Sequence, residues 1–211
     1  PQARPCCLSG ARRAAGGEVV FCSFFWKRLH RKILIIDETV AFIGGVNVGQ
    51  KYEKWRDLQI QVHGPVVRSI MRSFVRVYKK CGGRSALSET NVSSGPLKRA
   101  ELWFVDHGFG RRQHLFKKYY EERLDKAQTS IVMVTPYLFP PRWFIAHIHQ
   151  AILRGVRVEI IMPESTDHWF VNGVNRSFAS CLTGLGATCY FTQGMNHAKA
   201  MIVDRSEGVI G

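Results

Sequence analysis

The sequence predicts an α/β fold made of two similar halves, each a mixed β-sheet flanked by helices. Three observations lead there. Short apolar runs of strand length alternate with stretches whose apolar residues recur at helical spacing. One eight-residue plan occurs twice, at His30-Arg31-Lys32-Ile33-Leu34-Ile35-Ile36-Asp37 and at His197-Ala198-Lys199-Ala200-Met201-Ile202-Val203-Asp204. Between the two copies, residues 81–98 are rich in Gly and Ser and hold Gly95-Pro96, as a linker would. The expected halves are residues 1–97, with the linker, and residues 98–211.

Both copies read His-x-Lys-x4-Asp, a spacing that average composition produces about once per 10⁴ start positions. The match runs on: Gly44-Gly45-Val46-Asn47 follows the first copy, Gly211 stands where Gly44 does, and Ile43 and Ile210 fall in register. In a strand, alternate residues face the same way, so His30 and Lys32 share a face and Arg31 takes the other. The run 33–36 is expected as a strand buried on both faces, in the middle of a sheet. If the halves pack face to face, two imidazoles and two ammoniums line one pocket. Such a pocket suits a phosphate diester. One imidazole can attack phosphorus, the other can protonate the leaving oxygen, and the lysines can neutralise the non-bridging oxygens.

In chain order, residues 1–17 read as a frayed end with a helix remnant at 11–15, and 18–25, rich in Val and Phe, as a strand. A basic aromatic connector at 26–29 enters the first motif strand, 30–37. A turn at 38–39 and a strand at 40–43 close a hairpin. Residues 51–56 form a charged loop, and 57–63, with Leu58, Ile60 and Val62 alternating, read as a strand with one buried face. Gly64-Pro65 breaks it. At 66–80 the apolar residues Val67, Ile70, Met71, Phe74, Val75 and Tyr78 mark an amphipathic helix. Its opposite face carries Arg68, Arg72, Arg76, Lys79 and Lys80, either simply solvated or in contact with anionic lipid. Past the linker come a strand at 101–106, a helix from 113 to 126 and a core strand at 130–135. A loop at 136–141 holds Tyr137 and Phe139 at the mouth of the site. Then follow a helix at 142–153 ended by Gly155, a strand at 156–162, a helix at 169–182, a strand at 187–191, and the second motif strand.

The net charge of +14 and pI near 9.9 suit anionic partners: a membrane surface, phospholipid headgroups or nucleic acid. The six cysteines, Cys6, Cys7, Cys22, Cys81, Cys181 and Cys189, show no zinc-type spacing and are expected as reduced thiols. No run of 18 apolar residues marks a transmembrane helix, and no signal peptide is evident. A full βαβ-type stretch, 129–196, precedes the second motif, whereas little precedes the first, and the sequence stops inside the second motif. The chain is therefore expected to be truncated at both ends, with any membrane anchor in a missing N-terminal part.

The pattern His-x-Lys-x4-Asp-x6-Gly-(Gly/Ser)-x-Asn, present twice, resembles the phospholipase D superfamily. The first copy runs complete from His30 to Asn47 and the second extends from His197 to Gly211. Trp55-Arg56-Asp57 followed by Gly64-Pro65-Val66-Val67 resembles the segment after the first motif in bacterial cardiolipin synthases. Thr135-Pro136-Tyr137-Leu138-Phe139-Pro140 and Arg154-Gly155-Val156-Arg157-Val158 resemble the opening of their second half. The resemblance implies an active site at the interface of the two halves and phosphatidyl transfer between phospholipids. It implies cardiolipin made from two phosphatidylglycerol molecules through a phosphohistidine intermediate, without a metal or other cofactor. It also implies His30 as the nucleophile and His197 as the acid that protonates the leaving alcohol and then activates the incoming one, an assignment the residues alone leave open. The implied location is the cell membrane, peripheral or anchored, with the catalytic part on the cytoplasmic side. Nucleases share the motif, so a nucleic-acid phosphodiester is the second substrate class; they often carry one motif per chain and this chain carries two. A degenerate copy that only binds membrane is a third reading, and the intact motifs speak against it.

Candidate catalytic residues are His30, Lys32, Asp37, His197, Lys199 and Asp204, and candidate substrate-binding residues are Gly45, Asn47 and Tyr137. Each Asp stands five residues beyond its Lys. At about 3.3 Å per residue it cannot touch the same phosphate, so it is expected to orient a histidine from elsewhere or to cap a turn. Gly44-Gly45 would let backbone approach a ligand, and the Asn47 amide would donate to a phosphate oxygen. Trp55, Arg56 and Asp57 would shape the pocket, or Trp55 would merely pack. Asp167-His168, after a strand end, is a candidate for the rim. His147 and His149, two apart on a helix, cannot share a face as metal ligands.

Overall fold

The computed structural model describes residues 18–21, 30–84, 102, 104 and 113–211, with side chains from 116 onward in the last stretch. The frayed end at 1–17, the connector at 26–29 and most of the strands expected at 18–25 and 101–106 lie outside the described residues, as does the linker from 85. The chain groups into two compact units. One holds Pro1–His30, Ile35–Ala41 and Val62–Asp106; the other holds Arg31–Leu34, Phe42–Gln61 and His107–Gly211.

Strands β1 (Lys32–Ile36), β2 (Val40–Gly44) and β3 (Gln59–His63) form a three-stranded sheet in that order. The β1–β2 turn places Asp37 and Glu38 in the left-handed region at φ 48° and 57°, and the Thr39 N–H donates to the Ile36 carbonyl at 3.1 Å. Two successive left-handed residues are what a tight hairpin turn needs, and Asp tolerates that conformation better than most side chains. The expected doubly buried strand is not found here. Among the described residues β1 pairs with β2 alone, and its Leu34 and Ile36 are 53% and 43% exposed. Helix α1 (Pro65–Lys80) opens with Pro in its first turn and buries Val66, Val67, Ile70 and Val75, leaving Arg68, Arg76, Lys79 and Lys80 in water.

The other sheet has five strands in the order β6-β5-β4-β7-β8, with β4 (Ser130–Val134), β5 (Arg157–Pro163), β6 (Thr188–Thr192), β7 (Ala200–Val203) and β8 (Glu207–Ile210). β4, β5 and β6 run parallel, and β7 and β8 antiparallel, so this sheet is mixed as expected. Parallel neighbours need crossovers, supplied by α3 (Arg142–Leu153) and α4 (Trp169–Gly184). Both crossover helices stop at a left-handed glycine. Gly155 at φ 87° lets Val156 N–H reach the Ala151 carbonyl, and Gly186 at φ 103° lets Ala187 N–H reach Leu182. The core holds Ile131, Ile148, Ile160, Met162 and Leu182, with Leu124 from α2 (Gln113–Lys126). The expectation of six reduced thiols fails at Cys81, which is disulfide-bonded; Cys181 and Cys189 are free. Disulfide partners can lie anywhere along a chain, so spacing alone could not reveal it.

Candidate active site

His197 does not sit within its motif strand. It lies three residues before β7, on a segment joined by backbone bonds to residues 55–58. Arg56 N–H donates to the Met195 carbonyl at 2.9 Å, and His197 N–H donates to the Arg56 carbonyl at 2.7 Å. These bonds bring Asp57 under the imidazole. His197 is only 3% exposed, and its Nδ1 stands 2.7 Å from Asp57 Oδ2, a carboxylate that is itself buried. That bond holds the imidazole in one orientation from its Nδ1 side and leaves Nε2 for the chemistry. The Trp55 ring, 5.1 Å from the imidazole, walls one side.

The glycine pair has a definite steric task. A Cβ on Gly45 would run into the Asp57 carboxylate, and one on Gly44 would strike the Leu58 carbonyl, so only glycines admit the segment that carries Asp57. Gly45 N–H donates to that same Leu58 carbonyl at 3.0 Å. The space a ligand was expected to take beside Gly45 thus holds a carboxylate. Asn47 lines a cavity of about 290 Å³ with Val46, Gly49, Tyr52, Glu53, Trp55 and Asp57.

Lys199 Nζ lies 2.9 Å from the His197 carbonyl oxygen and 3.1 Å from Nε2. Burial pushes its ammonium down to about 8; the Asp57 charge opposes this and the Lys32 charge adds to it. Lys32 is lowered by burial too, again against Asp57. Two lysines, one carboxylate and one imidazole thus share one electrostatic neighbourhood. Its two cations suit an anionic phosphodiester.

Tyr137 stands across from the imidazole, their rings 6.3 Å apart, and its hydroxyl donates to Asp167 at 2.7 Å. Burial and that carboxylate hold the phenol well above its usual range. The loop is pinned from beneath. Buried Asn175 accepts from Leu138 N–H at 2.8 Å and donates to the Pro136 carbonyl at 2.9 Å. The sequence reading missed Asn175, although an Asn spaced among Val171, Ala179 and Leu182 on the apolar face of a helix is a signal in itself.

The two motif aspartates lie at turns. Asp204, left-handed at φ 52°, accepts from the backbone N–H groups of Gln128, Thr129 and Ser130 and from the Thr129 hydroxyl. The Ser130 and Thr129 amides foremost bring its carboxyl down to about 2. Of the expected alternatives, Asp204 caps a turn, at the far end of β7 from His197. His30 is exposed just before β1 and belongs to the compact unit that does not contain His197. His147 is held between Asp125 at 2.6 Å and Glu121 at 3.6 Å, and the His168 ring stands 6.1 Å from Tyr137. Asp57 as the partner of His197 is the main functional residue whose role the sequence did not disclose. The Trp55-Arg56-Asp57 triplet was the available sign.

Residues 120–211 match the family described as cardiolipin synthase, PLD-like domain. Over those residues the chain is similar to a phospholipase D-like domain. It is similar to the cardiolipin synthase of Halalkalibacterium halodurans, 30% identical over 195 residues, covering 87% of this chain and 39% of that protein. The major cardiolipin synthase ClsA of Bacillus subtilis is likewise 30% identical over 195 residues, covering 87% of this chain and 40% of that protein. The chain spans about two-fifths of the length of these curated relatives. Among solved structures, the fold is similar to that of the phosphatidylserine synthase of Haemophilus influenzae Rd KW20. Its TM-score is 0.53 at 18% identity, over 83% of this chain and 52% of that one.

Proposed function

We propose that the chain carries the catalytic centre of a phosphatidyltransferase that makes cardiolipin from two phosphatidylglycerol molecules at an anionic membrane. The observation that carries this reading is the Asp57–His197–Lys199 cluster around a buried imidazole, in a chain similar to cardiolipin synthases. In this reading residues 1–97 and 98–211 are the two phospholipase D-type halves, and each contributes one histidine to the reaction.

His30 attacks the phosphorus of the first phosphatidylglycerol. The bond from phosphorus to the glycerol headgroup breaks, and free glycerol leaves with a proton from His197. The phosphatidyl group then sits on His30. A hydroxyl of the second phosphatidylglycerol, deprotonated by His197, attacks it, giving cardiolipin and restoring both histidines. Proton transfer of this kind contributes about 10²–10⁴ in rate. Lys32, Lys199 and the Asn47 amide stabilise the non-bridging oxygens, each such donor worth about 10²–10³. Asp57 orients His197 and stabilises the imidazolium that forms in the second step. Gly45 admits Asp57, Tyr137 lines the headgroup side, and Asp37 and Asp204 hold the turns behind the motif strands.

The test is full-length protein incubated with phosphatidylglycerol vesicles and, separately, with DNA. Cardiolipin and free glycerol in equal amounts are expected. DNA cleavage without lipid turnover would replace this reading with the nuclease one.

A further inference from the structure

We propose that an exposed aromatic lip formed by Phe139, Trp169 and Phe170 seats the His197 site on an anionic lipid bilayer. The proposal rests on the phosphatidyl-transfer reading and adds the surface through which the site meets its lipid.

Trp169 is 85% exposed, Phe170 57% and Phe139 54%. Rings this open contribute little to the core, and Trp169 and Phe170 are adjacent in the first turn of α4. They connect to the chemistry through ring contacts. From His197 the path runs to Tyr137 at 6.3 Å, to His168 at 6.1 Å, to Phe170 at 5.8 Å and to Trp169 at 6.2 Å. Phe139 joins from the Tyr137 loop, its ring 6.4 Å from Phe178 of α4. The lip is therefore the outer margin of the site.

The charges around it select the occupant. Residues 137–142 and 168–184 contain no Asp or Glu; their formal charges are Arg142 and Arg176, both exposed. The nearby carboxylate of Asp167 is engaged by the Tyr137 hydroxyl. Arg176 follows Trp169 by seven residues, which puts it on the same helix face about 10 Å along the axis. Aromatic rings at a margin with cations behind them match a membrane–water boundary, where Trp settles at headgroup depth and Arg meets lipid phosphates. The net charge of +14 acts in the same direction over longer range. A phosphodiester held at headgroup level can enter a site whose margin rests at that level, without leaving the bilayer.

The experiment measures co-sedimentation of full-length protein with vesicles of pure phosphatidylglycerol and of pure phosphatidylcholine, alongside turnover of a water-soluble short-chain phosphatidylglycerol. W169A/F170A is expected to lower partition onto phosphatidylglycerol vesicles about tenfold or more, with short-chain turnover and melting temperature unchanged. W169Y/F170Y, which keeps two rings of interfacial character, is expected to retain partition. R176Q is expected to lower it a few fold, less so at high salt. Unchanged partition of W169A/F170A overturns the lip, as does an equal loss of short-chain turnover, which would make the rings part of the site's own packing. Equal binding of wild type to both vesicle types also overturns it. If wild type binds phosphatidylglycerol vesicles through the lip yet forms no cardiolipin, the reaction proposed above fails while the lip stands. Cardiolipin formation with lip-independent binding is the reverse case.

Discussion

Beyond Lys199, strand β7 is hydrogen-bonded by β4 on one side and β8 on the other, and it buries Met201 and Val203. Beyond Lys32, strand β1 is bonded, among the described residues, by β2 alone, and Leu34 and Ile36 are exposed. The two copies nevertheless end in the same turn, with left-handed Asp37-Glu38 in one and Asp204-Arg205 in the other, closed by N–H donors to Ile36 and Val203 at 3.1 Å in both. A shared local sequence has thus produced a shared local conformation, while burial followed the neighbours each strand received. The chemistry is unequal in the same sense. His197 has a described carboxylate, a half-buried lysine and an aromatic wall, whereas His30 is an exposed residue at a strand entrance.

The largest expected effect bears on this inequality. His30→Ala and His197→Ala are each expected to lower cardiolipin formation by about 10³-fold or more, because two imidazoles share one reaction coordinate and act as a unit. Steady-state turnover on phosphatidylglycerol vesicles measures it. A His30→Ala variant that keeps a tenth of wild-type activity would mean that only the buried copy is catalytic. Next comes Asp57→Asn, which keeps the shape but offers an amide where Nδ1–H needs an acceptor of full charge. A loss of about 10²–10⁴ in kcat with little change in KM is expected, and an equal fall in kcat and a rise in KM would argue for a binding role instead.

A third effect is a pH dependence set by Lys199. Its folded value near 8 lies below the ordinary 10.5, so affinity for a non-hydrolysable phosphodiester should fall as pH rises through about 8. Between about 8 and 10.5 the unfolded chain binds the proton that the folded one has released, so stability should rise with pH in that window. Lys199→Met should flatten both curves in titration calorimetry and denaturant melts. The smallest effect separates the two turns. Asp204→Asn keeps the turn but weakens four acceptor bonds, and should cost about 1–2 kcal/mol. Asp37→Asn, which suits a left-handed position equally well, should stay within about 0.5 kcal/mol. The Asp204 contribution is present above pH 4 and should be lost as pH falls through about 2.

Much of the second half was legible because its cues are local. Alternating apolar runs, Gly155 and Gly186 after helices, and the spacing on 142–153 and 169–182 each act within a turn or a strand, and the observed bounds follow them closely. The exposure of β1 was not legible, since an apolar run carries no record of how many neighbours will pair with it. Nor was the Asp57–His197 bond, which joins residues 140 positions apart and depends on two glycines clearing space. Gly45 looked like a place for ligand because glycine marks any close approach, and the sequence does not say what approaches. Asn175 was not legible either, since its partners, the Leu138 amide and the Pro136 carbonyl, lie 37 and 39 positions away.

The Asp204 carboxylate has one more consequence. β7 pairs Val203 with Ile131 and Ala200 with Val134, and a slip of one residue would exchange inside for outside along the whole strand. Lys199 would then turn away from His197. By gripping three successive amides at the start of β4, Asp204 allows only one alignment of the two strands. The third specified residue of the motif thus acts as a ratchet stop at a distance: it touches no reacting atom, yet it decides that the ammonium arrives on the correct side.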